Sequence, residues 1–105
     1  MKKMKEVYFV TGIGTDVGKT VISAILVEAL KADYWKPVQA GDLHNSDTMK
    51  VKDLVANANS FFHEEGYKLT QPMSPHAAAE RDNVEIRLQD LKLPSTDNTL
   101  VIEGA

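Results

Sequence analysis

The chain contains no cysteine. That excludes a disulfide framework and a thiolate zinc site, and it accords with a reducing compartment. A long apolar run is missing too. After Lys2, Lys3 and Lys5 the chain is apolar only from Val7 to Val10, too short for the core of a secretory signal, and no stretch reaches the length of a membrane span. There is no excess of positive charge. Twelve Lys and Arg against 15 Asp and Glu give a net charge of −3, which argues against a nucleic-acid-binding surface. His44, His63 and His76 fall at no metal-ligand spacing, and His44 and His63 read as surface residues. Internal repeats and low-complexity linkers are absent. What remains is an ordinary globular composition, 43% hydrophobic and 26% charged, in a length that suits one domain. The expected setting is cytoplasmic, with no nucleic-acid and no membrane partner.

What is there is concentrated near the N-terminus. Val7 to Thr11 reads as a buried strand, Gly12 to Gly18 as a glycine-containing loop, and Lys19 to Lys31 as a helix. A strand that runs through such a loop into a helix is suited to holding nucleotide phosphates. The first N–H groups of a helix lack intrahelical partners, and the helix dipole places partial positive charge there. Lys19 adds a full charge within reach of β- and γ-phosphates, and the Thr20 hydroxyl is placed to ligate Mg²⁺. The spacing departs from the usual G-x-x-x-x-G-K-[ST] pattern. Counting back from Gly18 puts the first glycine at Ile13, whereas here it stands at Gly12, so five residues intervene.

Further along, Tyr34 to Val38 reads as a short strand interrupted by Pro37, which cannot donate to a ladder, so the strand should end or lie at an edge there. Gln39, Ala40, Gly41 and Asp42 form the loop after it. Thr48 to Ala56 reads as a helix capped by Ser46 or Asp47, with Val51, Leu54 and Val55 on its inner face. The region from Asn57 to Leu69 reads as irregular, Pro72 to His76 as a turn, Ala77 to Arg81 as a short helix, and Val84 to Ile86 as an extended piece. Arg87 to Leu93 reads as another helix stopped by Pro94. Leu100 to Glu103 closes the chain as a third, buried strand. Strands alternating with helices predict an α/β fold with a mainly parallel sheet of P-loop NTPase type and flanking helices. The first strand should be covered on both faces and the first helix largely buried. Because the chain stops just after a central strand, it is expected to be about half of such a domain.

Ligands in these sheets sit at the carboxyl ends of the strands. The phosphate loop, Lys36 and Glu103 all fall there and could converge. Each has a plainer reading beside the functional one: Lys36 as a surface lysine whose stem lies on apolar groups, Asp47 as a helix cap. Tyr34 and Trp35 read as packing residues. Glu103 stands where P-loop proteins place an acidic residue that reaches Mg²⁺ directly or through water. Thr20, Asp47 and Glu103 together offer hard oxygen ligands suited to that ion.

Five segments, Thr11 to Thr20, Lys36 to Gly41, Asn45 to Asp47, Ser74 to Ala78 and Val101 to Ala105, resemble in that order the dethiobiotin synthetase family, whose loop has the same five-residue gap. The resemblance covers nearly the whole chain but only about the first half of a family member. It implies residues 1–105 as the N-terminal part of a single ATP-binding synthetase domain, in a cytoplasmic homodimeric ligase of biotin biosynthesis. The reaction it implies joins 7,8-diaminononanoate and CO₂ with MgATP, through a carbamate and a carbamic–phosphoric anhydride, to give dethiobiotin, ADP and phosphate. Lys36 and Lys19 are then the catalytic lysines. Gly12, Asp16, Val17, Gly18, Lys19, Thr20, Val21, Asp47, Glu103, Gly104 and Ala105 fall on the ATP side. Thr15, Lys36, Gln39, Ala40 and Gly41 fall on the diamine side. Thr20, Asp47 and Glu103 match the Mg²⁺ ligands.

Ala40 departs from family members that carry a serine hydroxyl there, so any contact at that position comes from backbone or from Gln39. Cobyrinate and cobyrate amide synthetases have a similar loop, but the Lys36 to Gly41 segment disfavours them. ATPases of the ParA/MinD kind carry a second lysine at the position of Gly14, which disfavours them also. A further alternative is a nucleotide-binding half without chemistry that needs a second chain. The 105 residues alone are not expected to turn over.

Overall fold

The computed structural model describes residues 6–12, 16–87 and 91–104, with the side chains of Asp16 and Val17 outside that description. Among the described residues five strands and three helices follow one another: β1 (Val7–Val10), α1 (Asp16–Leu30), β2 (Asp33–Trp35), β3 (Val38–Ala40), α2 (Asp47–Leu54), β4 (Tyr67–Leu69), α3 (Pro75–Arg81) and β5 (Leu100–Glu103), with a 3₁₀ turn at Leu43–Asn45. None of the described helices is long and apolar enough to cross a membrane.

The expected α/β architecture with parallel strands is observed. The main sheet has the order β1-β5-β2, parallel throughout, so the last strand lies between the first two. Val10 pairs with Glu103 and Trp35 with Ile102, which brings the carboxyl ends of all three strands to one edge. Alternation along β5 divides its side chains between the two faces. Val101 joins Val10, Ala24, Val27, Ala32, Tyr34 and Val51 under α1 and α2, while Leu100 and Ile102 meet Trp35 on the opposite face.

The expected strand from Tyr34 to Val38 is in fact two strands in two sheets. β2 ends before Lys36, and β3 pairs in parallel with β4 in a separate two-stranded sheet. Pro37 has no N–H for a ladder, and its carbonyl instead accepts from the Tyr67 amide at 2.9 Å. The region read as irregular therefore contains β4. It also lines the free edge of β2: the Tyr34 amide donates to the Phe61 carbonyl and the His63 amide to the Tyr34 carbonyl, both at 2.9 Å.

Other boundaries shift for local reasons. α1 begins at Asp16, ahead of Lys19, and gives way at Lys31, whose φ is 50°. Ser46, not Asp47, caps α2, its Oγ accepting from the Met49 amide at 3.3 Å. α2 ends at Leu54, with Val55 extended, and Leu54 faces solvent rather than the core. Val84 to Ile86 forms no strand, although Ile86 packs on the cluster of Val38, Leu69, Ala78 and Ala79. Arg87 and Leu91 to Leu93 are not helical, and residues 88–90 of that expected helix lie outside the described residues.

The expectation that β1 is covered on both faces and α1 largely buried is not met. Val7 and Phe9 are exposed, as are Val21, Ile22 and Ile25 on the outer side of α1. Among the described residues β1 pairs with β5 alone, so one edge of the sheet and one side of the helix are open.

Two contacts hold the periphery in place. Gly41 has φ 75°, and a Cβ there would lie 2.6 Å from Pro72 Cα, a backbone atom that cannot swing aside. The Asp33 carboxylate, at the amino end of β2, accepts from the Phe61 amide (3.1 Å), the Asn98 side chain (3.0 Å) and Thr96 Oγ1 (2.6 Å), and pairs with His63 Nε2 (2.9 Å). His63 is thus a partner within a half-buried cluster, not the plain surface residue expected. Burial pushes the Asp33 carboxyl up, and its hydrogen bonds to Thr96, His63, Asn98 and the Phe61 amide together bring it below its ordinary 3.8.

Gly41→Ala should lower unfolding free energy by about 2–4 kcal/mol, combining the positive φ with the overlap against Pro72, as read from urea denaturation. For Asp33, a folded-state value below the unfolded one means that its stabilisation is complete above the ordinary 3.8 and is lost as pH falls below it. Asp33→Asn should therefore cost about 2 kcal/mol at neutral pH, and the gap to wild type should close in denaturation curves taken below pH ~4.

Candidate functional site

The carboxyl edge of the main sheet is where the chemistry collects. β5 delivers Glu103, α1 delivers Lys19 and Thr20, the end of β2 delivers Lys36, and the start of α2 delivers Asp47. Glu103 is 0% exposed, Lys36 3%, and Asp47 and Thr20 4% each. The Lys36 ammonium stands between the two carboxylates, 2.6 Å from Asp47 Oδ2 and 3.5 Å from Glu103 Oε2. Thr20 Oγ1 donates to Glu103 Oε2 at 3.1 Å, and Tyr34 donates its hydroxyl proton to Glu103 Oε1 at 2.7 Å. Lys19, next to Thr20 on α1, is also buried.

Local structure explains why Lys36 is inside rather than on the surface. The chain leaves β2 and enters the second sheet two residues later, so Lys36 sits at the junction and turns inward toward α2. Gln39 braces the far side: its Oε1 accepts from the Asp47 amide at 3.1 Å, and its Nε2 donates to the Gly41 carbonyl at 2.9 Å. Its side chain thereby satisfies the first turn of α2 and closes the turn after β3.

The two carboxyls respond oppositely to burial. Burial is the largest influence on both. At Glu103 it prevails, aided by the negative charge of Asp47 and opposed by Tyr34, Lys36 and Thr20, so the carboxyl lies above its usual range. At Asp47 the hydrogen bond and charge of Lys36 outweigh burial and hold the carboxyl below that range. The Tyr34 hydroxyl is pushed up, first by burial and then by the adjacent Glu103. It remains a hydrogen-bond donor.

Among the described residues, no group of three or more His, Cys, Asp or Glu is arranged to hold a metal ion. Two carboxylates and a hydroxyl are, however, what a hard divalent cation takes from protein when phosphate oxygens complete its shell. The ammonium already lodged between Asp47 and Glu103 marks where positive charge is favoured. Among the described residues beyond its own chain neighbours, a Cβ built at Gly12 or at Gly18 meets nothing within 4 Å.

A cavity of about 350 Å³ opens beside this cluster, between Lys36, Asp47 and Lys50 on one side and Met73 and Ser74 on the other. Gln39 and Ala40 line it, whereas Gly41 packs against Pro72. Of the residues selected from sequence, Thr20, Lys36, Asp47 and Glu103 meet directly, and Gln39 joins them through the Asp47 amide. Val21 faces solvent, and the Gly104 amide donates to the Val10 carbonyl at 2.8 Å. Asp16 and Val17 open α1; Thr15 and Ala105 lie outside the described residues.

Two participants were missed. Tyr34 packs in the core as its sequence context implies, but its hydroxyl also reaches Glu103: its register partner Val101 stands two residues before Glu103 and so on the same side of β5. Lys50, whose Nζ is 3.8 Å from Asp47 Oδ1, was signalled only by its helical spacing from Asp47.

A family described as AAA domain matches residues 6–105. The chain is similar to proteins named ATP-dependent dethiobiotin synthetase BioD. It is 61% identical to that of Christiangramia forsetii over 102 residues, covering 97% of this chain and 49% of the relative. It is 54% identical to that of Cytophaga hutchinsonii over 99 residues, covering 93% and 48%. With that of Rhodopseudomonas palustris it shares 51% over 96 residues, covering 91% and 45%. The chain spans about half the length of the curated relatives it matches.

Removing the charge of Lys36 while keeping its bulk should leave two buried carboxylates facing each other. Lys36→Met is expected to lose about 3 kcal/mol of unfolding free energy at neutral pH, measured by chemical denaturation.

Proposed function

The chain belongs to the AAA-domain family, and from that premise we propose that it supplies the ATP-phosphate and reaction-centre half of a dethiobiotin synthetase. The observation that carries the reading is the buried set of Thr20, Lys36, Asp47 and Glu103 at the carboxyl edge of a parallel sheet, directly after a Gly-Lys-Thr loop. Relatives of that printed name, 61% and 54% identical, support it.

In this reading one amine of 7,8-diaminononanoate has combined with CO₂ to give a carbamate. A carbamate oxygen attacks the γ-phosphorus of ATP, the bond to ADP breaks, and a carbamic–phosphoric anhydride forms. The second amine attacks the carbamoyl carbon, loses a proton, and expels phosphate as the ring closes. Phosphoryl transfer of this kind needs alignment and charge neutralisation more than covalent help from the protein. Lys19 faces the β- and γ-phosphates. Lys36, pivoting at the end of β2, neutralises the carbamate and the γ-phosphoryl oxygens as they approach each other. Thr20, Asp47 and Glu103 would hold Mg²⁺, which supplies further neutralisation of phosphate charge when bound. The cavity between Lys36 and Ser74 takes the diamine, with Gln39 and Ala40 in its wall and Gly41 next in sequence; Thr15, from the loop between Gly12 and Gly18, falls on the same side in this reading. Asp16, Val17, Gly18, Gly104 and Ala105 remain on the nucleotide side.

The open edge of β1 and the apolar outer side of α1 offer room for further strands and helices of a chain as long as the relatives. The adenine-reading surface and a homodimer contact belong to that remainder in this reading. A cytoplasmic setting accords with the absence of cysteine.

The test is ring closure. The natural polypeptide that carries these residues, given the diamine, bicarbonate and MgATP, should release ADP and phosphate in step with dethiobiotin. ADP release that does not depend on the diamine would overturn the reading. Lys19→Gln, which leaves the carboxylate pair filled by Lys36, should lower kcat/KM by about 100-fold in the same assay.

A further inference from the structure

We propose that Tyr34 is a positioning residue for the metal site: its hydroxyl commits one oxygen of Glu103, so that Glu103 meets a divalent cation through the other oxygen alone. The proposal deepens, and rests on, the reading of Thr20, Asp47 and Glu103 as cation ligands.

The two carboxylate oxygens of Glu103 are divided between two sides of the molecule. Oε1 receives the Tyr34 hydroxyl at 2.7 Å, from the direction of β2. Oε2 receives Thr20 Oγ1 at 3.1 Å and lies 3.5 Å from Lys36 Nζ. Thr20 and Lys36, which the site reading places beside the phosphate and the cation, are therefore both on the Oε2 side. Rotating the carboxylate to chelate a cation with both oxygens would break the Tyr34 bond, at the cost of a buried hydroxyl that bulk solvent does not reach, Tyr34 and Glu103 each being 0% exposed.

The donor itself is fixed from four directions. Tyr34 pairs with Val101 in the main sheet. On its other edge its amide and carbonyl are both bonded to the segment at Phe61 and His63. Its ring packs on Phe62 with centroids 6.2 Å apart. The ring sits in the same apolar cluster as Val10, Val27 and Val51. A hydroxyl held this rigidly defines one carboxylate orientation before any ligand arrives. Partners of this kind, one bond removed from a ligand, commonly govern metal affinity by a factor of 10–100. The residue is also an unusual choice if packing were all it did. A phenylalanine would fill the same space without burying a hydroxyl that must find an acceptor.

The test uses Mn²⁺ as the probe, titrated into the purified protein with and without ATP and followed by the EPR signal of the free ion. Wild type, Tyr34→Phe and Glu103→Gln are compared. Tyr34→Phe should unfold cooperatively in a thermal melt yet bind Mn²⁺ about 10-fold more weakly. Wild-type affinity in a folded Tyr34→Phe variant would overturn the proposal while leaving the site reading intact. Wild-type affinity in Glu103→Gln would overturn the site reading itself, and the Tyr34 role with it. A crystal structure of the wild-type protein with Mn²⁺ decides the matter even if Tyr34→Phe fails to fold. Coordination through Oε2 alone, with Tyr34 still on Oε1, is the expected result; chelation by both oxygens would overturn the proposal.

Discussion

A carboxylate sealed at the end of the central strand sets the terms for its surroundings. Glu103 has no solvent contact, so each of its oxygens must be met by protein. Tyr34 meets one oxygen from the neighbouring strand, while Thr20 and Lys36 meet the other from the first helix and from the sheet junction. Lys36, itself buried, needs more negative charge than one shared carboxylate supplies, and Asp47 provides it. Asp47 in turn is held where it is by Gln39 on its amide and by the Ser46 cap beginning the same helix. The chain of requirements runs through five elements and both sheets. Removing any charged member strands another in a low-dielectric interior.

The second sheet owes its place to two features without charge. Pro37 ends the main-sheet strand, and its carbonyl begins the new pairing with Tyr67. Gly41 then lets the chain pass within contact of Pro72, bringing the Met73 and Ser74 segment over the cavity beside Lys36 and Lys50. Charged side chains of Lys36, Asp47 and Lys50 and the Pro72 to Pro75 segment thus line the same cavity.

Much of this could be read from residues in a row. Val7 to Thr20 and Leu100 to Glu103 announce themselves because a buried parallel strand is a continuous apolar run, and a phosphate loop is written in consecutive residues. Lys36, Asp47 and Glu103 were found because each ends or begins such an element. β3 and β4 were not, since three-residue strands carry no measurable period, and their pairing joins residues about thirty positions apart. Tyr34 packs in the core as expected, but its bond to Glu103, like the place of His63 beside Asp33, is not legible: an aromatic or imidazole looks the same in sequence whether it only fills space or also answers a buried carboxylate. The exposed faces of β1 and α1 were misjudged because an apolar sequence states what a segment can bury, not what lies against it.

The strand order has a bearing on how the protein comes into being. β5 is the last element of the chain described, and it occupies the middle of the sheet, between the first strand and the second. Until it arrives, β1 and β2 have no common partner, Tyr34 has no acceptor, and Thr20 is without the carboxylate 83 positions away. Assembly of the polar centre therefore closes a very long loop, the kind of step that slows folding. A ribosome that has released everything up to Thr99 has produced the cavity walls and the Gly-Lys-Thr loop but not Glu103. Acquisition of that centre and the joining of β1 to β2 are one and the same step.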